Sequence, residues 1–190
     1  MTREEAYQEL QSLIKNPNLL KHHLACESVM RAIYRKFNAG GLDPAQEERW
    51  GMVGLLHDAD YEMTKDQPER HTLELEKLIG NKLDEGMMHA IKSHNWARTG
   101  VEPNSTLDWS IYACDELTGL IIAAALVHPD KKLTSLTSDF VMNRFKETSF
   151  AKGADREQIK ACEEHLGIPL SEFIDLNLKA MQGISKELGF

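Results

Sequence analysis

Apolar residues recur at three- and four-residue intervals along most of this chain, and the segments that carry the period are bracketed by helix start and stop residues. Thr2-Arg3-Glu4-Glu5 is a capping box that opens a helix to about Lys15. Asn16-Pro17-Asn18 interrupts it, and Asn18 caps a second helix to about Asn38, stopped by Gly40-Gly41. Asp43-Pro44 supplies an N-cap and a first-turn proline for a third helix ending near Leu56. Pro68 predicts a helix towards Ile79, Asp84 a short one through about His94, and Ser105 or Thr106 a long one that stops before Pro129. Two more are predicted over 138–146 and 155–166, and Ser171, after Pro169, caps a last helix to about Leu188.

No run of alternating β-branched residues marks a strand, and no internal repeat or low-complexity segment stands out. The pattern therefore predicts an all-α, compact single-domain helical bundle of eight or nine helices covering residues 1–190. The connections 95–104 (NWARTGVEPN) and 148–154 (TSFAKGA) are the loops expected to border a site.

The same periodicity sorts the polar residues. His22, Cys26, Val29 and Ile33 form one stripe of the second helix, so His22 faces an apolar interior. His23 shares its stripe with Glu27, Met30 and Tyr34, a mixed and more exposed face. His71 aligns with Leu75 and Leu78, and His94 with Met87 and Ile91, whereas His89 aligns with Lys92 or Ser93 and Trp96. Asp115 shares a face with Ile111, Thr118 and Ile122, and His57-Asp58 closes the apolar run WGMVGLL. An inward carboxylate is costly to desolvate unless positive charge meets it. Six groups of this kind suit one or two divalent ions that accept imidazole and carboxylate, such as iron, manganese, nickel, zinc or magnesium. Asp58 can offer one oxygen to each of two ions, and the lack of a thiolate in the set disfavours a structural zinc site. These ligands mark about 18–125 as the metal-site core, with the helices of about 137–190 packed on it.

Composition narrows the picture further. At 190 residues with 42% hydrophobic and 27% charged, the chain can bury a core without disulfides. A net charge of −8 argues against a nucleic-acid polymer as partner, although bound cations would admit a small anionic substrate. Cys26, Cys114 and Cys162 are sparse, unpaired by motif and read as packing residues, which fits a reducing cytoplasm. The polar N-terminus lacks the apolar core of a signal peptide. The longest apolar stretch, about 120–127, is too short for a bilayer. The expectation is a soluble cytoplasmic protein with no membrane partner, and apolar stripes on the terminal helices leave room for a homodimer.

The order His, His-Asp, His, His, Asp along an all-helical chain resembles the HD-domain superfamily of metal-dependent phosphohydrolases. The stretches LLKHHLACESVMRAI, WGMVGLLHDADYE, PERH, HAIKSHN and ACDELTGLI resemble its small bacterial HDIG-type branch more closely. That resemblance implies a first metal site of His22, His57, Asp58 and Asp115, and a second ion at His71 and His94. It also implies hydrolysis of a phosphate monoester, nucleotide or phosphodiester by a metal-activated hydroxide, with Asp58 bridging. The HD-Ile-Gly run of that branch is His57-Asp58-Ala59-Asp60 here, so the residues after the pair inherit no role.

Candidate phosphate contacts are Lys65, Arg70, Lys92 and Lys152, with Arg98, Lys146 and Arg156 near the two loops. Glu116 is left unassigned, and His128 and His165 read as structural. Two other readings share the ligand set: an HD-fold di-iron oxygenase, and a non-catalytic HD-type binding or signalling module. The filled ligand positions disfavour the module.

Overall fold

Side-chain caps set most helix starts in the computed structural model, which describes all 190 residues. Helix α1 (Arg3–Leu13) begins at Thr2, whose hydroxyl and the Glu5 carboxylate satisfy each other's backbone N–H. Helix α2 (Pro17–Phe37) is capped by Asn16, two residues before the expected Asn18. Pro17 lies in its first turn, where its missing N–H costs nothing. Asp43 caps α3 (Pro44–Leu56). After the HD turn come the single-turn α4 (Tyr61–Thr64) and α5 (Leu73–Ile79). Asp84 caps α6 (Glu85–Ser93), and another single turn, α7 (Trp96–Thr99), lies within the expected loop. Ser105 and Asp108 form a second capping box at α8 (Thr106–Val127). Thr137 caps α9 (Ser138–Lys146), Asp155 caps α10 (Arg156–Leu166), and α11 is Leu170–Gly183. There is no strand.

Two predicted helices need correction. The helix expected over 68–79 is broken: a 3-10 turn covers Pro68–Arg70, and α5 starts only after Thr72 at φ +70°. Thr72 makes no side-chain cap, and the buried Asp60 supplies one instead by accepting the Leu75 N–H at 3.0 Å. The last helix starts at Leu170, whose N–H donates to Glu163, and stops at Gly183. The turns that follow bring Leu188 back onto the core.

Helix α2 runs through the middle, packed by α3, α8 and α11. The His23 face is therefore buried, which corrects the expectation that it is the more exposed of the two: His23, Glu27, Met30 and Tyr34 all lie inside, while His22 is only part-buried. Glu27 is held there by a two-pronged bond from Arg3 and a second pair from Arg31. Gly54 lets α3 approach α2 closely, since a Cβ there would stand 2.5 Å from the Cys26 carbonyl oxygen. That contact brings His22 and His57 together. The reading of 120–127 as the longest apolar stretch understates α8. With mean hydropathy 1.6 over its most apolar window, α8 is long and apolar enough to cross a membrane. In this fold it packs against α2, α6, α9, α10 and α11.

Candidate metal centre

Six ligand-type residues converge from five places in the fold. His22 comes from the second turn of α2, and His57 and Asp58 from the turn that ends α3. His71 ends the Pro68–Arg70 turn, His94 caps the end of α6, and Asp115 projects from the middle of α8. They assemble into two groups. In the first, His22 Nε2 lies 3.2 Å from His57 Nε2, and these atoms are 3.0 and 3.3 Å from Asp115 Oδ1. In the second, His71 Nε2 lies 3.3 Å from His94 Nε2, and the two are 2.9 and 3.2 Å from Asp58 Oδ1. Asp58 joins the groups, because its other oxygen stands 3.9 Å from His22 Nε2 and 3.8 Å from His57 Nε2. The sulfur of Cys26 belongs spatially to the first group, 3.9 Å from both nitrogens of the His22 ring.

The far side of every ring is fixed. His57 Nδ1 donates to the Gly54 carbonyl at 2.9 Å, and His94 Nδ1 to that of Ile91 at 2.6 Å. His71 Nδ1 donates to Asp60 Oδ1 at 2.7 Å. His22 Nδ1 faces the Thr118 hydroxyl at 3.2 Å, and that hydroxyl's own proton goes to the Asp115 carbonyl. Each ring therefore holds its Nδ1 proton and turns Nε2 inward, the nitrogen that ligation would use once any proton on it is displaced. Paired nitrogens 3.2 and 3.3 Å apart have room for one proton between them, not two. Nitrogens and carboxylates that converge so closely need positive charge among them, either protons on the rings or metal cations. The residues thus suit metal ions, and these groups could hold one.

The electrostatics point the same way. Without metal, burial opposes charge on His57, but Asp58 and Asp115 outweigh it and lift its pKa to about 10. His71 is likewise pushed up to about 10, against burial, by its bonds to Asp58 and Asp60. Asp58 and Asp115 are held below the ordinary carboxylate range, the histidine charges overcoming burial. Glu116 goes the other way, up to about 7, through burial and the neighbouring Asp115 charge.

Above these groups opens a cleft of about 530 Å³. One side is formed by Tyr61 and Asn95, next to the His71 and His94 group. The other is formed by Glu116 and Gly119 of α8 with Ala151, Gly153, Ala154 and Gln158. Both expected loop regions thus border it. No lysine or arginine lines it. Lys65 is exposed, Lys152 is exposed between the lining residues Ala151 and Gly153, and Arg70 is tied to Gln67 and Glu74. Lys92 pairs with Glu76 on a different surface cleft. Arg98 and Lys146 are also exposed, and Arg156 donates to the carbonyls of Phe150, Ala151 and Ala154, holding the loop rather than facing the cleft. His128 sits beyond the end of α8, and His165 stacks on Trp109 at 3.5 Å.

Sequence reasoning passed over three residues that shape the centre: Asp60, Thr118 and Asn95. Thr118 lay on the Asp115 stripe and so was within reach. Asp60 carried no signal, because its partners are His71 and the start of α5, and both depend on an unpredicted break. Asn95 lines the cleft with its Nδ2 buried and unpartnered. Comparison with protein-family models, curated proteins and solved structures finds no match to this chain.

Proposed function

We propose that this chain is a metal-dependent phosphohydrolase of the HD type, binding two divalent cations and cleaving a phosphate ester in the cleft above them. One observation carries the reading: four imidazoles with occupied Nδ1 atoms converge their Nε2 atoms on the two oxygens of Asp58 and on Asp115. His22, His57, Asp58 and Asp115 would hold one ion, and His71, His94 and Asp58 the other. Bound there, such ions supply an activated water and positive charge for the phosphoryl oxygens. The chain's own contribution is orientation. Asp58 fixes the relation between the two groups, while Asp60, Thr118 and the Gly54 and Ile91 carbonyls lock the rings. Asn95 offers the cleft a buried donor with no protein partner, suited to an ester oxygen. With no cationic side chain in the lining, attraction for the phosphate rests on the ions themselves.

The test is elemental analysis of the purified protein joined to a panel of phosphate monoesters and diesters, run without oxygen in manganese or zinc. Release of phosphate or of a monoester under those conditions is the expected result. A metal-loaded protein that turns over no ester, yet consumes dioxygen when loaded with iron, would replace this reading by the di-iron oxygenase.

A further inference from the structure

Three glycines lie in the middle of helices, where each costs stability relative to alanine. Two have a packing reason. A Cβ on Gly54 would meet the α2 backbone at 2.5 Å, and one on Gly51 would meet the Arg31 guanidinium at 2.5 Å. Gly119 has none, since a Cβ there would meet nothing within 4 Å. It sits one turn beyond Asp115, exposed, on the face of α8 that lines the cleft. The chain thus keeps a destabilising residue where no protein atom needs the space, beside the converging ligands.

We infer that Gly119 is a specificity-determining residue, whose missing side chain leaves room for the organic group of a phosphate monoester to lie along α8. This rests on the phosphohydrolase reading. Other residues agree on what that group is. The wall facing Gly119 across the ligand groups carries the Tyr61 ring, half-exposed and edge-on to His71 at 6.0 Å. On the α8 side, Gly153 adds a second place where a Cβ would meet nothing within 4 Å. The orphaned Nδ2 of Asn95 supplies one hydrogen bond. Glu116 is the charged side chain of the α8 wall, and no lysine or arginine is present to receive a further anion. The seat therefore suits an uncharged group with a flat ring, attached to a single phosphate, and not a polyphosphate.

The experiment measures binding, so that turnover does not enter. Calorimetry on the manganese-loaded full chain would compare methylphosphonate with a nucleoside phosphonate, both resistant to hydrolysis. Wild type is expected to bind the nucleoside compound about tenfold more tightly or better, and Gly119→Leu to abolish that preference. Methylphosphonate affinity and metal content should be unchanged in the variant. Gly119→Ala, which adds one carbon and a better helix former, should raise Tm while weakening the preference. Methylphosphonate binding with no size preference in wild type, or a preference intact in Gly119→Leu, would overturn this inference alone. A metal-loaded protein that binds neither phosphonate would overturn the phosphohydrolase reading and this inference with it.

Discussion

The two halves of the centre are built by different means. His22, His57 and Asp115 project from α2, α3 and α8, long helices that pack against one another through the core. His71 and His94 sit at helix and turn ends, in a segment of single turns and a left-handed Thr72. The first half takes its geometry from helix packing, with Gly54 setting how near α3 comes to α2. The second takes it from hydrogen bonds, above all the buried Asp60, which holds both the His71 ring and the Leu75 N–H. Packing over many residues resists the loss of any one contact, whereas a carboxylate clamp fails as a unit. The halves should therefore respond differently to mutation.

Asp58 belongs to both, and its loss is the largest effect expected. Asp58→Ala should empty both positions, leaving less than about one-tenth of wild-type metal by elemental analysis, because each group loses a carboxylate oxygen. Equal metal in variant and wild type would break the assignment of Asp58 as the joint between halves. Next in size are His71→Ala and His94→Ala. Each should lower stoichiometry from about two ions towards one, with the first group still occupied in added manganese or iron, and hydrolysis should fall steeply. A wild-type protein that never exceeds one ion, with both variants fully active, would leave a one-metal enzyme.

On one axis the halves are expected to agree. His57 and His71 each hold a proton up to about pH 10 in the metal-free protein, so an entering ion must displace it. Affinity in both halves should then rise with pH, by about tenfold per unit for each proton displaced. The metal-free protein has the opposite trend. Both groups have raised pKa values, so their stabilisation is full below about pH 6.5, the ordinary histidine value, and is lost as pH rises towards 10. Denaturant melts of chelated protein should show stability declining over that window, and melts flat across it would contradict the ion pairs.

Asp60 sharpens the comparison on a smaller scale. Asp60→Ala should weaken the second position by roughly 10- to 100-fold, since ring-orienting partners carry that much affinity. The lost cap on α5 should also cost about 1 kcal/mol of stability. The first position, which Asp60 does not touch, should keep its affinity in a manganese titration. Equal weakening of both would show that the clamp supports the whole centre.

Legibility from sequence divides along the same line. Seven of the nine helices the pattern predicts start at a local side-chain cap and lie close to their expected spans, whereas α5 and α11, the two that need correction, have no such cap. On those helices a phase argument puts His22 and Asp115 inside, and the structure brings them together. His71 reaches the centre as well, but not from the helix drawn for it. Its setting depends on Asp60 capping α5 from eleven residues upstream of His71, a contact without periodicity. The proposed phosphate lysines and arginines fared differently. Arg70 and Lys92 pair with Glu74 and Glu76, and none of the proposed cations is in the cleft lining, although Lys152 stands between two residues that are.

The smallest effect tests a place on an intact helix where phase misled. His22 and His23 are neighbours on α2, and His23 is the more buried because α3, α8 and α11 surround the helix, while His22 is part-exposed to the cleft. Burial alone therefore does not single out His22, the proposed ligand. Partners favour His22, which meets Asp115, His57 and Thr118, while neither ring nitrogen of His23 makes a well-formed hydrogen bond and its contact with the Leu55 backbone is weak. Burial, with the nearby His57 and His22, depresses the His23 pKa, so its ring stays neutral. An unpaired buried polar group costs about 1–3 kcal/mol, and a leucine of similar volume removes that cost at less than about 1.5 kcal/mol of repacking. His23→Leu should thus keep full metal content and match or exceed wild-type stability by up to about 2 kcal/mol. His22→Leu, one residue away, should strip the first position. Metal loss in His23→Leu, or a clear fall in its Tm, would mean that the His23 nitrogens are engaged after all, and the buried ring behind His57 would join the centre.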